Sequence, residues 1–188
     1  MPKIVDHEQR RAAIVLALWL VISARGIEGV TYQAVAAAAG VSVGHVQHYF
    51  ASKDELIRAG CWAMVDGATD RHSEQTAGSD PRQALFDLLA QPIPRTEAFR
   101  LGAAVWYAYL ARGVVDPGIG AIVAEASRGT VTETASLLDA AGLPTTEAER
   151  LVSLSNGLTQ RVLVGAVAAD DALAVLYDEI SRLRPAAG

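Results

Sequence analysis

Apolar positions recur three and four residues apart along most of this chain, with polar residues in the gaps, and that spacing predicts helices. Ile14, Leu18, Val21 and Ile22, with Ala17 and Ala24 between them, make one face of a first helix. Asp6, with Gln9 three residues on, supplies a capping start, and Gly26 and Gly29 supply the stop. Thr31 caps a short helix over 32–39, whose Val35 and Ala39 face the first. Gly40 suits a left-handed turn because it has no Cβ to clash at positive φ. Ser42 then caps a two-turn helix ending in Tyr49 and Phe50, with Val46 and Phe50 turned inward. Two short helices joined by a tight glycine turn predict a helix-turn-helix, whose second helix lies in the DNA major groove.

Ser52 and Glu55 form a capping box for a fourth helix, which carries Leu56, Ile57, Trp62 and Val65 to about His72. The polar stretch 73–79 reads as a loop. Asp80-Pro81 is an N-cap followed by a proline at the first helical position, and Gln91-Pro92 closes that fifth helix. A sixth helix spans about 94–112, with Phe99, Ala103, Trp106 and Leu110 on one face and Gly113 as its stop. Asp116-Pro117 opens a seventh, which continues to Ala141. Thr146 with Glu149 opens an eighth that ends near Ala169, and Asp170 or Asp171 caps a ninth. The expected fold is all-α. An N-terminal three-helix DNA-binding domain over 1–52 precedes a six-helix effector-binding and dimerisation domain over 53–188.

Composition narrows the function classes. Of 188 residues, 51% are hydrophobic, ample for a core, while no apolar run reaches the roughly 18 residues that a membrane span needs. The apolar stretch from Ala12 to Ala24 resembles a signal-peptide core. Asp6 and Glu8 before it and Arg25-Gly26-Ile27-Glu28 after it argue instead for a cytoplasmic chain without a membrane partner. Cys61 is alone, so it has no internal disulfide partner and reads as a small buried hydrophobe. The net charge of −5 is uneven: residues 1–58 hold six bases against five acids, the remainder ten against sixteen. DNA binding would then rest on a few placed donors and on dimerisation.

On the third helix, Val43, His45, Gln47 and His48 are left outward. Gln can bond adenine through N6 and N7, and His or Val can meet a guanine edge or a thymine methyl. The segment Thr31-Tyr32-Gln33-Ala34-Val35-Ala36-Ala37-Ala38-Ala39-Gly40-Val41-Ser42, followed by Gly44, Tyr49, Phe50, Ser52, Lys53 and Leu56, resembles the DNA-binding domain of the TetR family of bacterial regulators. The opening Met1-Pro2-Lys3-Ile4 and the triplet His48-Tyr49-Phe50 look more like the branch that includes betaine-responsive repressors. The family commonly has Tyr where this chain has Gln47, and His where it has Tyr49. The resemblance implies DNA contacts from Thr31, Tyr32, Ser42, Val43, Gly44, His45, Gln47, His48, Tyr49 and Lys53, with Thr31, Tyr49 and Lys53 on phosphates.

Two further surfaces are expected. The run from Val162 to Ala169 is apolar on every side, which in a helix demands burial all round. A second copy is the expected cover, through Ser153, Gly157, Leu158, Val162, Gly165, Leu173, Leu176, Tyr177 and Ile180. The resemblance implies the same, a four-helix bundle made from the last two helices of each copy. Among the middle helices, Trp62, Phe99, Trp106 and Tyr109 are candidate effector contacts; Trp62, Trp106 and Tyr109, with Asp66 or Asp70 as counter-charge, suit an aromatic cage for a cationic effector. No phosphate loop, metal cluster or nucleophile motif supports an enzyme, and no metal or cofactor is expected. The expected protein is a homodimeric repressor that binds double-stranded DNA and responds to an unidentified small molecule. A helical small-molecule sensor or carrier with a vestigial DNA-binding head is the alternative.

Overall fold

The computed structural model describes residues 2–76 and 78–185, and the side chains of residues 7–74 and 78–185. Met1 of the opening stretch and Ala77 of the expected loop lie outside the described residues. The order is α1 (Pro2–Arg25), a 3-10 turn (Ile27–Gly29), α2 (Tyr32–Ala39), α3 (Val43–Tyr49), α4 (Lys53–Thr76) and α5 (Pro81–Ala90). It continues with α6 (Glu97–Gly113), α7 (Pro117–Ala140), a second 3-10 turn (Thr145–Glu147), α8 (Ala148–Leu163) and α9 (Ala169–Arg182). Among the described residues there is no strand, as the helical periodicity predicted.

The chain divides into two compact units. The first comprises residues 1–66 and 104–123, the second 67–103 and 124–188. The expected boundary at residue 52 would set α1 to α3 apart; by packing, residues 53–66 and 104–123 belong with them. In the first unit Ile14, Leu18, Val35, Val46, Phe50 and Leu56 are fully buried. Trp19 of α1 donates its indole N–H to the Gly60 carbonyl of α4 at 3.1 Å. Tyr109 fills the same interior with its hydroxyl buried and unpaired, and burial above all pushes that phenol far above its ordinary range. Burial likewise raises the Cys61 thiol to about 12, which keeps it protonated and unreactive.

The second unit is built on Leu85, Leu89, Ile93, Leu138, Leu151 and Leu176, all buried in one cluster from α5 and the turn after it, α7, α8 and α9. Ser155 of α8, itself buried, donates its hydroxyl to the Leu89 carbonyl at 2.5 Å and so fixes α8 against α5. Arg150 bridges Glu147 at 2.6 Å and Glu179 of α9 at 2.8 Å.

Several boundaries differ from the sequence reading. The first helix starts at Pro2, so Asp6 lies inside it rather than capping it. Helix α4 runs on to Thr76, through residues read as loop, because nothing there breaks a helix before Gly78 at φ +79°. Helix α6 begins at Glu97, with Thr96 accepting the Phe99 amide, rather than at Pro94. Thr146 is not a cap; it sits in the turn Thr145–Glu147 before α8. Asp170 and Asp171 occupy the first turn of α9 instead of its cap, where their charge still opposes the helix dipole favourably.

The largest correction concerns the end of α8. The helix stops at Leu163, so most of the apolar run lies beyond it. Gly165 takes φ +76°, and the Ala166 amide bonds back to the Arg161 carbonyl at 2.8 Å, a glycine-terminated helix end. Val164 is therefore 71% exposed on a turn, and no all-apolar helix exists there to demand burial.

Candidate nucleic-acid interface

Helix α3 has seven residues, too few to be held by buried area alone. Directional bonds hold it instead. Ser42 accepts the His45 amide at 3.2 Å and Thr31 accepts the Ala34 amide at 3.0 Å, so both helices of the motif start on side-chain caps. Gly40, at φ +67°, makes the turn between them. At the far end, Tyr32 donates its hydroxyl to the Phe50 carbonyl at 3.0 Å. Arg11 of α1 donates to the Tyr49 carbonyl at 3.0 Å, with its guanidinium 4.3 Å from the Phe50 ring centre. The capping box follows at once: the Glu55 amide donates to Ser52, and the Glu55 carboxylate accepts the Ala51 amide at 2.9 Å.

With Val46 and Phe50 fully buried, the opposite face carries the expected reading residues. Gly44, Gln47 and His48 are exposed, while Val43, His45 and Tyr49 are half-buried. Thr31 and Ser42 are exposed at the two helix starts, and Tyr32 and Lys53 are half-buried. Amide N–H groups at a helix start also favour phosphate. What sequence reasoning missed is the share of α1: Arg11 bonds the end of α3, and the His7 ring lies 4.6 Å from that of Tyr49. The signal was available, since His7 and Arg11 are four apart and share a helix face.

The effector candidates do not form one group within either unit. Tyr109 is fully buried between α1 and α4 of the first unit, where a Cβ on Gly60 would stand 2.6 Å from its hydroxyl. Trp62 is 39% exposed, Asp66 is exposed and Trp106 is half-buried, all on the first unit. Phe99 belongs to the second, with the Arg95 guanidinium 5.9 Å from its ring centre.

Of the residues expected between copies, Leu158, Val162, Leu176 and Ile180 are spent in their own chain's core. Leu173 packs against that cluster, and Gly165 is the helix stop just described. Ser153, Gly157 and Tyr177 remain exposed, Tyr177 at 60%, with its ring edge-on to Phe86.

Comparison with known proteins matches both parts of the chain. Residues 14–59 match the family model for bacterial regulatory proteins of the tetR family, and residues 81–185 match that of the BetI-type transcriptional repressor C-terminal domain. The HTH-type transcriptional regulator PksA of Bacillus subtilis is 36% identical over 113 residues, covering 59% of this chain and 55% of PksA. The chain thus matches little more than half the length of that relative. A transcriptional regulator from Rhodococcus sp. Rha1 superposes with a TM-score of 0.80 at 30% identity, over 90% of this chain and 95% of that one. The multidrug binding protein EbrR, complexed with malachite green, superposes with a TM-score of 0.70 at 26% identity, over 94% and 99%. With both halves matched and a regulator superposed over nearly its whole length, this chain belongs to the TetR family of bacterial regulators, in its BetI-type branch.

Proposed function

We propose that two copies of this chain repress transcription by binding a pseudo-palindromic operator, and release it when a small molecule binds. The observation that carries this reading is the exposed Gln47 and His48, on a helix capped by Ser42 and pinned through Arg11 and Tyr32. A rigid rod with outward hydrogen-bonding groups is what base readout requires. Thr31, Tyr49 and Lys53 hold phosphates, and each copy reads one half-site, with centres about one helical turn or 34 Å apart. The copies meet through the exposed side of α8 and α9, at Ser153, Gly157 and Tyr177, where small residues permit close approach.

The effector is an organic cation met by Trp62, Trp106 and Asp66, all of the first unit. The aromatic and acidic character of these residues supports this, as does the malachite green complex of EbrR, a structural relative. Helix α4 carries Lys53 at one end and Trp62 and Asp66 further along, so a ligand-driven shift of α4 reaches the phosphate contacts. Such coupling is typically about 1–3 kcal/mol. The ligand must favour the released conformer, since equal affinity for both moves nothing.

Two substitutions test the reading, measured by fluorescence anisotropy on DNA recovered by selection on the protein. Lys53→Ala should weaken binding to every sequence and flatten the salt dependence by about one unit of slope. Gln47→Ala should cost about 1–3 kcal/mol at particular base pairs and relax preference there. Uniform losses across operator variants for Gln47→Ala would remove it from the reading set.

A further inference from the structure

Tyr49 closes α3 and stands among three imidazoles. The rings of His7, His45 and His48 lie 4.6, 5.1 and 5.3 Å from its centre. His45 and His48 come from α3 itself, but His7 arrives from α1, 42 positions earlier in the chain, and is exposed. Its place is set rather than incidental. Arg11, one turn further along α1, bonds the Tyr49 carbonyl, which ties this face of α1 to the end of the reading helix. Besides Arg11, the charged residues next to His7 in sequence are Asp6, Glu8 and Arg10, and α4 opens with Lys53, Asp54 and Glu55. Among the described residues no carboxylate forms an ion pair with His7, His45 or His48.

We propose that His7 is a DNA-contact residue, placed by its tilted ring contact with Tyr49 to meet a backbone phosphate, and that it makes operator binding proton-linked. The proposal rests on the DNA-binding reading above. An imidazole changes charge between about pH 5 and 8. A neighbouring phosphate favours the cation, whose charge it neutralises with release of a counterion. Binding therefore takes up protons, so affinity rises as pH falls, and the salt dependence steepens with it. His45 and His48 add to the same linkage from the reading helix. His7 contributes from a helix that base readout alone does not need.

The test compares wild type, His7→Phe and His7→Lys by anisotropy on two duplexes, one recovered by selection and one of random sequence, at about pH 6 and 8. Phenylalanine keeps the ring contact and cannot protonate; lysine keeps the charge at both pH values. Wild type should bind on the order of tenfold more tightly at the lower pH, on both duplexes, with a steeper salt slope. His7→Phe should bind no more tightly than wild type at the higher pH and lose about threefold of the low-pH gain. His7→Lys should bind more tightly than wild type at the higher pH and vary less between the two. A His7→Phe profile that overlays wild type would overturn the proposal, and so would wild-type binding that ignores pH. Wild type with no affinity for either duplex would instead overturn the DNA-binding reading beneath it.

Discussion

Helices α3 and α9 are both amphipathic, yet they are fixed in opposite ways. Helix α3 has seven residues and only Val46 buried within it, and its placement comes from hydrogen bonds: the Ser42 cap, Tyr32 on the Phe50 carbonyl, Arg11 on the Tyr49 carbonyl. Helix α9 has fourteen residues and no side-chain cap; it is seated by Ala172, Leu176 and Ile180 and by the Arg150–Glu179 ion pair. Apolar contact keeps two elements together but tolerates small rotations, whereas a hydrogen bond weakens steeply once misaligned. On the proposed reading α3 presents Gln47 and His48 at a defined angle, which needs the second kind of restraint. A helix that only has to close a core can rely on the first.

If that contrast holds, deletion of apolar volume should hurt most in the C-terminal unit. Leu176→Ala removes a fully buried side chain from the centre of its cluster and should cost about 2–5 kcal/mol in denaturant unfolding. The first unit should be more sensitive to added volume at its tightest point. In Gly60→Ala the new Cβ would stand 2.5 Å from Leu18 Cδ2 and 2.6 Å from the Tyr109 hydroxyl, costing about 1–3 kcal/mol. Smaller again, Ser42→Ala deletes the α3 cap and should cost about 1 kcal/mol. Its effect on sequence preference should exceed that stability loss, because it loosens the reading helix itself; a variant as selective as wild type would contradict the contrast.

The smallest expected effect is a pH dependence. Asp116 caps α7, accepting the Gly118 and Ile119 amides, and also pairs with Arg112 at 3.2 Å. The Ile119 bond first, and then the Arg112 contact, hold its carboxyl below the usual range. A depressed carboxylate stabilises the fold above its unfolded pKa, near 3.9, and that contribution fades as pH falls through the lower folded value. The stability gap between wild type and Asp116→Ala should therefore be constant at neutral pH and shrink only in acid, measured by denaturant titration at each pH.

The helix-turn-helix was legible in the sequence because its signals are local. Thr31, Ser42 and Ser52 each bond an amide three residues on, so cap and partner sit within one turn of text. Gly40 likewise declares its own left-handed turn. The end of α8 was misread for the matching reason. An apolar run has the same composition whether it continues a helix or leaves one, and only the positive φ of Gly165 decides. Nor could the sequence say that Leu158, Val162, Leu176 and Ile180 are covered by their own chain, since an apolar stripe does not name what it packs against. Tyr109 is a similar case: an aromatic with a polar tip suggests a ligand wall, yet here it fills the interior between α1 and α4. His7 and Arg11 were missed because their partners lie about forty residues away.

Selection of duplexes from a random-sequence library on the purified protein tests the central claim most directly. Enrichment of an inverted repeat, its half-sites about one helical turn apart, is the predicted result. A recovered pool no different from the starting library would contradict the account.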